Sequence, residues 1–263
     1  MKCIYKSLVY CLTWGIAIAS WGNSQVLAGE IHDTPSNTTQ VKVTFEPPAE
    51  DMPRSSMGGA SRTISQCLNE TNDAAMPFSA LLPASNGGLT VASHPTILAY
   101  LPKTSAPNVF FSWRDENGRD LYQAVLPIEQ KAGIIDFRLP QDAPALEVGK
   151  NYQWALGIMC DGRLQPDSPM VQGQVKRVEL AREAQNNLDK SISLKNAAEY
   201  GEQGLWYETV ATLAQLKTEQ PQDLQIASNW TELLNSVGLT DITKASLRIA
   251  RPTEKNSSVY ADK

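Results

Sequence analysis

Residues 146–160 constrain this chain more than any other stretch: Leu-Glu-Val-Gly-Lys-Asn-Tyr-Gln-Trp-Ala-Leu-Gly-Ile-Met-Cys. Tyr152, Trp154, Leu156, Ile158 and Cys160 fall on every second position, with Asn151, Gln153, Ala155, Gly157 and Met159 between them. Strand side chains alternate between faces, so period two over this length predicts a strand with one heavy, buried face. Leu146, Gly149 and Tyr152 stand three apart where the strand begins, the spacing of a tyrosine corner. In that motif a Tyr hydroxyl bonds back to backbone at the turn into a central sandwich strand. Tyr152→Phe is then expected to leave a partner carbonyl unpaired.

The flanking sequence extends the pattern. Residues 89–91, 96–101, 121–126, 133–139 and 170–178 read as strands, and Val109, Phe111 and Trp113 alternate on one face of another. Asn86-Gly87-Gly88, Asp115-Glu116-Asn117-Gly118 and Asp161-Gly162 supply turns, and Pro95 and Pro102 punctuate the strands. Roughly seven short strands, with turns every eight to twelve residues or so, predict a β-sandwich, an antiparallel immunoglobulin- or fibronectin-III-like Greek key. A partly closed barrel is the second architecture.

After Val178 the period becomes helical. Leu180, Ala181, Ala184 and Leu188 share one face, and Leu194, Ala197, Ala198 and Gly201 make a second, of small residues. Trp206, Val210, Leu213 and Ala214 make a third; Ile226, Ala227, Trp230, Leu233, Leu234 and Val237 make a fourth, ended by Gly238. Tyr200, Leu213 and Pro221 have the relative spacing of one tetratricopeptide unit, with Thr209 where that repeat has Ala. One such hairpin cannot stand alone, so it must pack on the sandwich or on a partner.

The first residues read as a secretory signal peptide. Lys2 and Lys6 form a basic region, residues 8–19 are mostly apolar yet too short to span a bilayer, and Val26-Leu27-Ala28 places the cut after Ala28. Leu8-Val9-Tyr10-Cys11 has the outline of a lipoprotein site, but Tyr10 is too bulky before the cysteine. Without Lys2 and Lys6 the chain carries 21 basic and 28 acidic residues, a charge of -7. That balance, with no Lys/Arg cluster, argues against nucleic acid. No further apolar run is long enough for a transmembrane segment.

Cys3 and Cys11 leave with the signal; Cys67 and Cys160 remain, an even number in an oxidising compartment, and are expected to pair. Two cysteines and two histidines are too sparse for a structural zinc site, so no metal and no cofactor are expected. The organisation predicted is signal peptide 1–28, Pro/Gly/Ser-rich leader 29–77, β-sandwich 78–178, helical region 179–250 and disordered tail 251–263. Within the leader, Val41-Lys42-Val43-Thr44-Phe45 alternates like a short strand, stopped by Pro47-Pro48.

The order of motifs is recognisable. Val43-Thr44-Phe45-Glu46-Pro47-Pro48 is followed by Gly58-Gly59-Ala60-Ser61-Arg62, Cys67, Leu89-Thr90, and His94-Pro95-Thr96 with Tyr100 and Pro102. Then come Leu146, Gly149, Tyr152 and Trp154 at their spacing, Cys160-Asp161, Val175 with Arg177-Val178, and Gly204 with Trp206-Tyr207. Over residues 41–239 this resembles the cyanobacterial exported domain-of-unknown-function family nine-two-eight. Ile97 and Leu98 stand where that family's pattern has aromatics, and Leu68 where it has Pro. The resemblance implies export, a Cys67–Cys160 pair and a sandwich with a helical tail, and no established activity. Relatives associated with adhesin-like and tetratricopeptide proteins imply an interaction role.

Enzyme readings fail on inventory. A Ser-His-Asp arrangement needs a His base, and the mature chain offers only His32 and His94, the latter before Pro95 at a strand start. Gly59-Ala60-Ser61-Arg62-Thr63 lacks the second Gly of a nucleophile elbow. Asp115, Glu116 and Asp120 cluster at a hairpin tip, which is normally a solvated turn, and Asp136 and Arg138 read as a cross-strand charge pair. A carboxylate-based hydrolase would need a cleft with two acids about 5–10 Å apart. Trp113, Tyr122, Tyr152 and Trp154 offer a sugar-stacking platform if they are exposed and coplanar, which would make the chain a carbohydrate-binding module. The leading expectation is an exported, non-enzymatic protein-interaction module, periplasmic, surface-bound or secreted. Its partner is an unknown envelope or secreted protein, met by Trp206, Tyr207 and Trp230. The sandwich and helices are expected to be separable, so that a cut before Glu179 leaves a foldable sandwich.

Overall fold

The structure, a computed structural model, describes residues 40–48, 67–68, 76–180, 182–189 and 191–248. The expected signal segment and cut, Gly58-Gly59-Ala60-Ser61-Arg62 and the expected 251–263 tail lie outside the described residues. The described residues belong to one compact unit that begins at Gln40.

In chain order the elements are β1 (Ser79–Ala80), β2 (Gly87–Thr90), β3 (Thr96–Leu101), β4 (Asn108–Asp115), β5 (Asp120–Pro127), β6 (Gly133–Arg138), β7 (Asn151–Ile158) and β8 (Met170–Arg177). There follow α1 (Arg182–Asn187), α2 (Leu194–Glu202), α3 (Trp206–Glu219), α4 (Leu224–Ser236), a 3-10 turn at Thr240–Ile242, and β9 (Leu247–Arg248). One sheet has the order β1-β3-β6-β9 and the other β2-β8-β7-β4-β5. Both are mixed, which corrects the purely antiparallel expectation: β2 runs parallel to β8, and β9 parallel to β6. Parallel pairing needs a long connection, and between β6 and β9 it runs through β7, β8 and the four helices.

The β7 strand sits between β4 and β8, with Trp154 opposite Trp113 on one side and Gly173 on the other. Its alternate residues Tyr152, Trp154, Leu156 and Ile158 are all buried, as are Val109, Phe111 and Trp113 of β4. Phe111 stacks on Phe137 of the other sheet, ring centres 6.5 Å apart and 11° from parallel, so the two sheets share one core. Each such side chain contributes about 1.5–3 kcal/mol of burial.

The tyrosine corner is formed with a different partner. The Tyr152 hydroxyl accepts the Glu147 backbone N–H at 2.9 Å; it meets an amide, not a carbonyl. The turn needs Gly149, whose φ of +81° lies in the left-handed region, and the Gly149 N–H donates to Arg177 O at 2.7 Å. Tyr152→Phe leaves a half-buried N–H unpaired and should lower stability by about 1–2 kcal/mol, read as a shifted urea midpoint at constant slope. An unchanged midpoint would reduce Tyr152 to a core aromatic.

The helices are part of this core. Trp206 and Tyr207 open α3 and reach into the sheets. Trp206 Nε1 donates to Leu81 O at 2.8 Å. Trp154 Nε1 donates to the Tyr207 hydroxyl at 2.8 Å, and that hydroxyl donates to Gln174 O at 2.7 Å. Burial pushes the Tyr207 phenol far above its ordinary pKa, so it stays a donor. With β9 also joining the first sheet, the described residues of the helical region share one core with the strands.

Candidate functional site

Each helix around the site has a local cause. Ser193 Oγ accepts the Asn196 N–H and starts α2; Asp223 Oδ1 accepts the Gln225 and Ile226 N–H groups and starts α4. Gly238, at φ +84°, follows α4 where the sequence placed its end. Across the helices run residues 40–48.

This strap belongs to no sheet. Its alternation has another cause, because it is gripped by side chains and helix ends. Asn229, in the middle of α4, accepts the Val43 N–H on Oδ1 at 2.6 Å and donates from Nδ2 to Val41 O at 3.0 Å. One side chain thus reads both polar groups of a passing backbone. Glu46 N–H donates to Gly201 O at 3.0 Å. Val43 is 1 % exposed, and Phe45 meets the Trp206 ring edge-on, 4.9 Å between centres at 74°. Gly201 is required by close approach: a Cβ there would lie 1.9 Å from Thr44 O. The small-residue face of α2 is the seat of the strap.

The expected partner residues are placed elsewhere. Trp206, Tyr207 and Trp230 are 0 %, 2 % and 0 % exposed, so none offers side-chain surface to another molecule in this structure. Their apolar periodicity is spent on the sheets and on the neighbouring helices. Cys67 and Cys160 form a disulfide with 93 residues of separation, and Cys67 O accepts the Thr104 hydroxyl and the Ser105 N–H, each at 2.9 Å.

The other candidates resolve into structural roles. Trp113, Tyr122, Tyr152 and Trp154 are 1 %, 9 %, 4 % and 1 % exposed, so they make no sugar platform. At the hairpin tip Asp115 accepts the Asn117 and Arg119 N–H groups and pairs with the Arg119 side chain, which holds its carboxyl below the usual range. Arg114 pairs with Asp120 at 2.6 Å. His94 is bonded at both nitrogens, Nε2 to Ala143 O at 3.1 Å and Nδ1 to the Ser93 hydroxyl at 3.0 Å. A carbonyl only accepts, so the ring donates from Nε2. Among the described residues no group of three or more His, Cys, Asp or Glu is placed to hold a metal, and no helix is long and apolar enough to cross a membrane.

A cleft of about 1240 Å³ opens beside α3, lined in part by His94, Arg138, Tyr200, Glu208, Thr212 and Gln215. Glu208 is the residue that sequence reasoning missed. Its Oε1 accepts the Thr90 hydroxyl at 2.6 Å and the Val91 and Ala92 N–H groups at 3.0 and 3.1 Å, which closes the end of β2. The residue as a whole is half-buried, yet Oε2 is shut off from solvent and has no hydrogen-bond partner among the described residues. Burial raises its pKa against the opposing pull of those donors. The folded state therefore keeps this proton to higher pH than the unfolded state does. Stability falls as pH rises from the ordinary carboxylate value of 4.5 to the raised one, and the loss is constant above that. Glu208→Gln keeps an acceptor for β2 and cannot ionise, so its melting temperature should fall less between pH 4.5 and 7 than that of the parent. Parallel curves for the two would exclude Glu208 as the titrating group.

This geometry defines a protein of two mixed sheets that takes a four-helix region into its own core and pins an N-terminal strap upon it. The chain belongs to the family described as Domain of Unknown Function (DUF928), which matches residues 57–247. No curated protein matches the chain.

Proposed function

We propose that this chain is an exported, non-enzymatic interaction module of the cell envelope or secreted compartment whose helical region holds extended polypeptide. The observation that carries the reading is the grip on residues 40–48: Asn229 contacts backbone rather than side chain, Gly201 admits the main chain at close range, and Val43 and Phe45 fill apolar sites. Backbone contacts supply affinity and alternate side chains supply selectivity, as in other modes of peptide recognition. The sheet orders β1-β3-β6 and β2-β8-β7-β4-β5 support an immunoglobulin- or fibronectin-III-like sandwich as the carrier. The adjoining α2 and α3, with Tyr200 and Leu213, support a tetratricopeptide-like hairpin as the holder. The disulfide is compatible with export.

The test uses the mature chain with a protease site introduced between positions 49 and 66. After cleavage of the folded protein, a fluorescent peptide of residues 40–48 should exchange into the helical region and be competed by unlabelled peptide. A peptide with Val43 and Phe45 changed to Asp should fail, and Gly201→Val should abolish uptake. A cleaved protein that never exchanges its strap would sink the reading, because the segment would then be an inseparable piece of the core.

A further inference from the structure

We infer that the strap is exchanged between copies of this chain, so that residues 40–48 of one molecule occupy the helical groove of another. The inference rests on the reading of that groove as a peptide holder and names its occupant. The polypeptide seen to fit the groove is the chain's own. Among the described residues its contacts include Gly201 of α2, the Gly204 turn, Trp206 of α3, and Gln225, Asn229 and Glu232 of α4. It joins neither sheet, so no strand must be peeled away for it to leave. A strap arriving from a second copy would make the same hydrogen bonds and fill the same apolar sites.

The chain length allows it. Eighteen residues, 49–66, connect the strap to Cys67, which the disulfide and the Thr104 and Ser105 hydrogen bonds hold to the body. A segment of that size reaches at most about 60 Å, against a radius of gyration of about 16 Å for a body of some 200 residues. A reciprocal exchange closes on itself as a two-fold dimer. Tethered segments meet their sites at effective concentrations on the order of millimolar, so exchange should grow as protein concentration approaches that range.

Lys42 and Glu232 make this visible. They form an ion pair across the groove at 4.0 Å, and their side chains are 70 % and 52 % exposed, so both tolerate replacement. Lys42→Cys and Glu232→Cys are made in separate, otherwise complete mature chains; each then has one free thiol, because Cys67 and Cys160 are already joined. The two proteins are mixed from micromolar to near-millimolar concentration and oxidised mildly. Exchange predicts a 42–232 disulfide-linked heterodimer on a non-reducing gel that increases with concentration and is suppressed by millimolar peptide 40–48. Lys42→Cys mixed with Lys131→Cys, an exposed position away from the groove, gives the background. A 42–232 mixture that stays at that background at every concentration overturns the inference. In parallel, millimolar peptide 40–48 bearing the Lys42→Cys change is offered to the Glu232→Cys chain. If the peptide links and the chains do not, the groove accepts polypeptide and exchange between copies is what fails. If neither links, the peptide-holding reading falls as well.

Discussion

Truncation before Glu179 should yield a chain with no cooperative unfolding transition. The truncated chain would keep β1 to β8, but it would lose β9 from the first sheet and what closes both sheets. Trp206 and Tyr207, 0 % and 2 % exposed, would vanish from the interior. Leu81 O, Gln174 O and Trp154 Nε1 would lose their partners, and the end of β2 would lose Glu208. Removing a buried large aromatic costs about 3–5 kcal/mol, and each orphaned buried polar group about 1–3 more. Two aromatics and three polar groups together cost about 9–19 kcal/mol, as much as or more than the roughly 5–15 kcal/mol that holds an ordinary domain folded. Circular dichroism and thermal unfolding of residues 29–178 test this directly. A sigmoidal melt near that of the parent would restore the separable sandwich that the sequence pattern suggests.

Replacement of both Cys67 and Cys160 by Ser should lower stability by about 2–5 kcal/mol. The bond spans 93 residues, and constraint of the unfolded chain grows with the logarithm of the loop it closes. The bond also holds residues 67–68 against the body, where Leu68 bridges to Thr104 and Cys67 O takes two hydrogen bonds. Urea unfolding of the oxidised parent, the reduced parent and the double variant should place the last two together and well below the first. Coincident midpoints for all three would mean that the pair contributes nothing to stability.

The strands were legible because each carries its own signal. β3 lies at Thr96–Leu101, where two prolines bracket an apolar run, and β7 follows from the alternation of Tyr152 to Ile158. β9 was not legible: two residues, Leu247 and Arg248, have no period, and they pair with residues more than a hundred positions away. The site divides the same way. The small-residue face of α2 and the alternation of Val41 to Phe45 were each visible, but periodicity says which side of an element is buried and not what buries it. Asn229 fits no motif, because a polar residue in mid-helix is ordinary until a backbone lies across it. The burial of Trp206 and Trp230 was hidden for that same reason: an apolar face on a helix has one appearance in sequence whether a second molecule or the chain's own fold covers it. Glu208 lacked any signal, since its partners Thr90, Val91 and Ala92 are over a hundred residues earlier.

The grip of Asn229 on Val43 also imposes an order in time. The two residues are 186 apart in sequence. At about 5–20 residues per second, roughly 10–40 s pass between synthesis of the strap and synthesis of the helix that holds it. Until Trp206 is made Phe45 and Leu81 O lack that partner, and the Val43 N–H waits longer still, for Asn229. Folding of this protein is therefore a closing from both ends, in which the earliest residues made are among the last to find their place. A nascent chain stalled before α4 would display an apolar, extended segment to whatever chaperone or neighbouring nascent chain stands nearby.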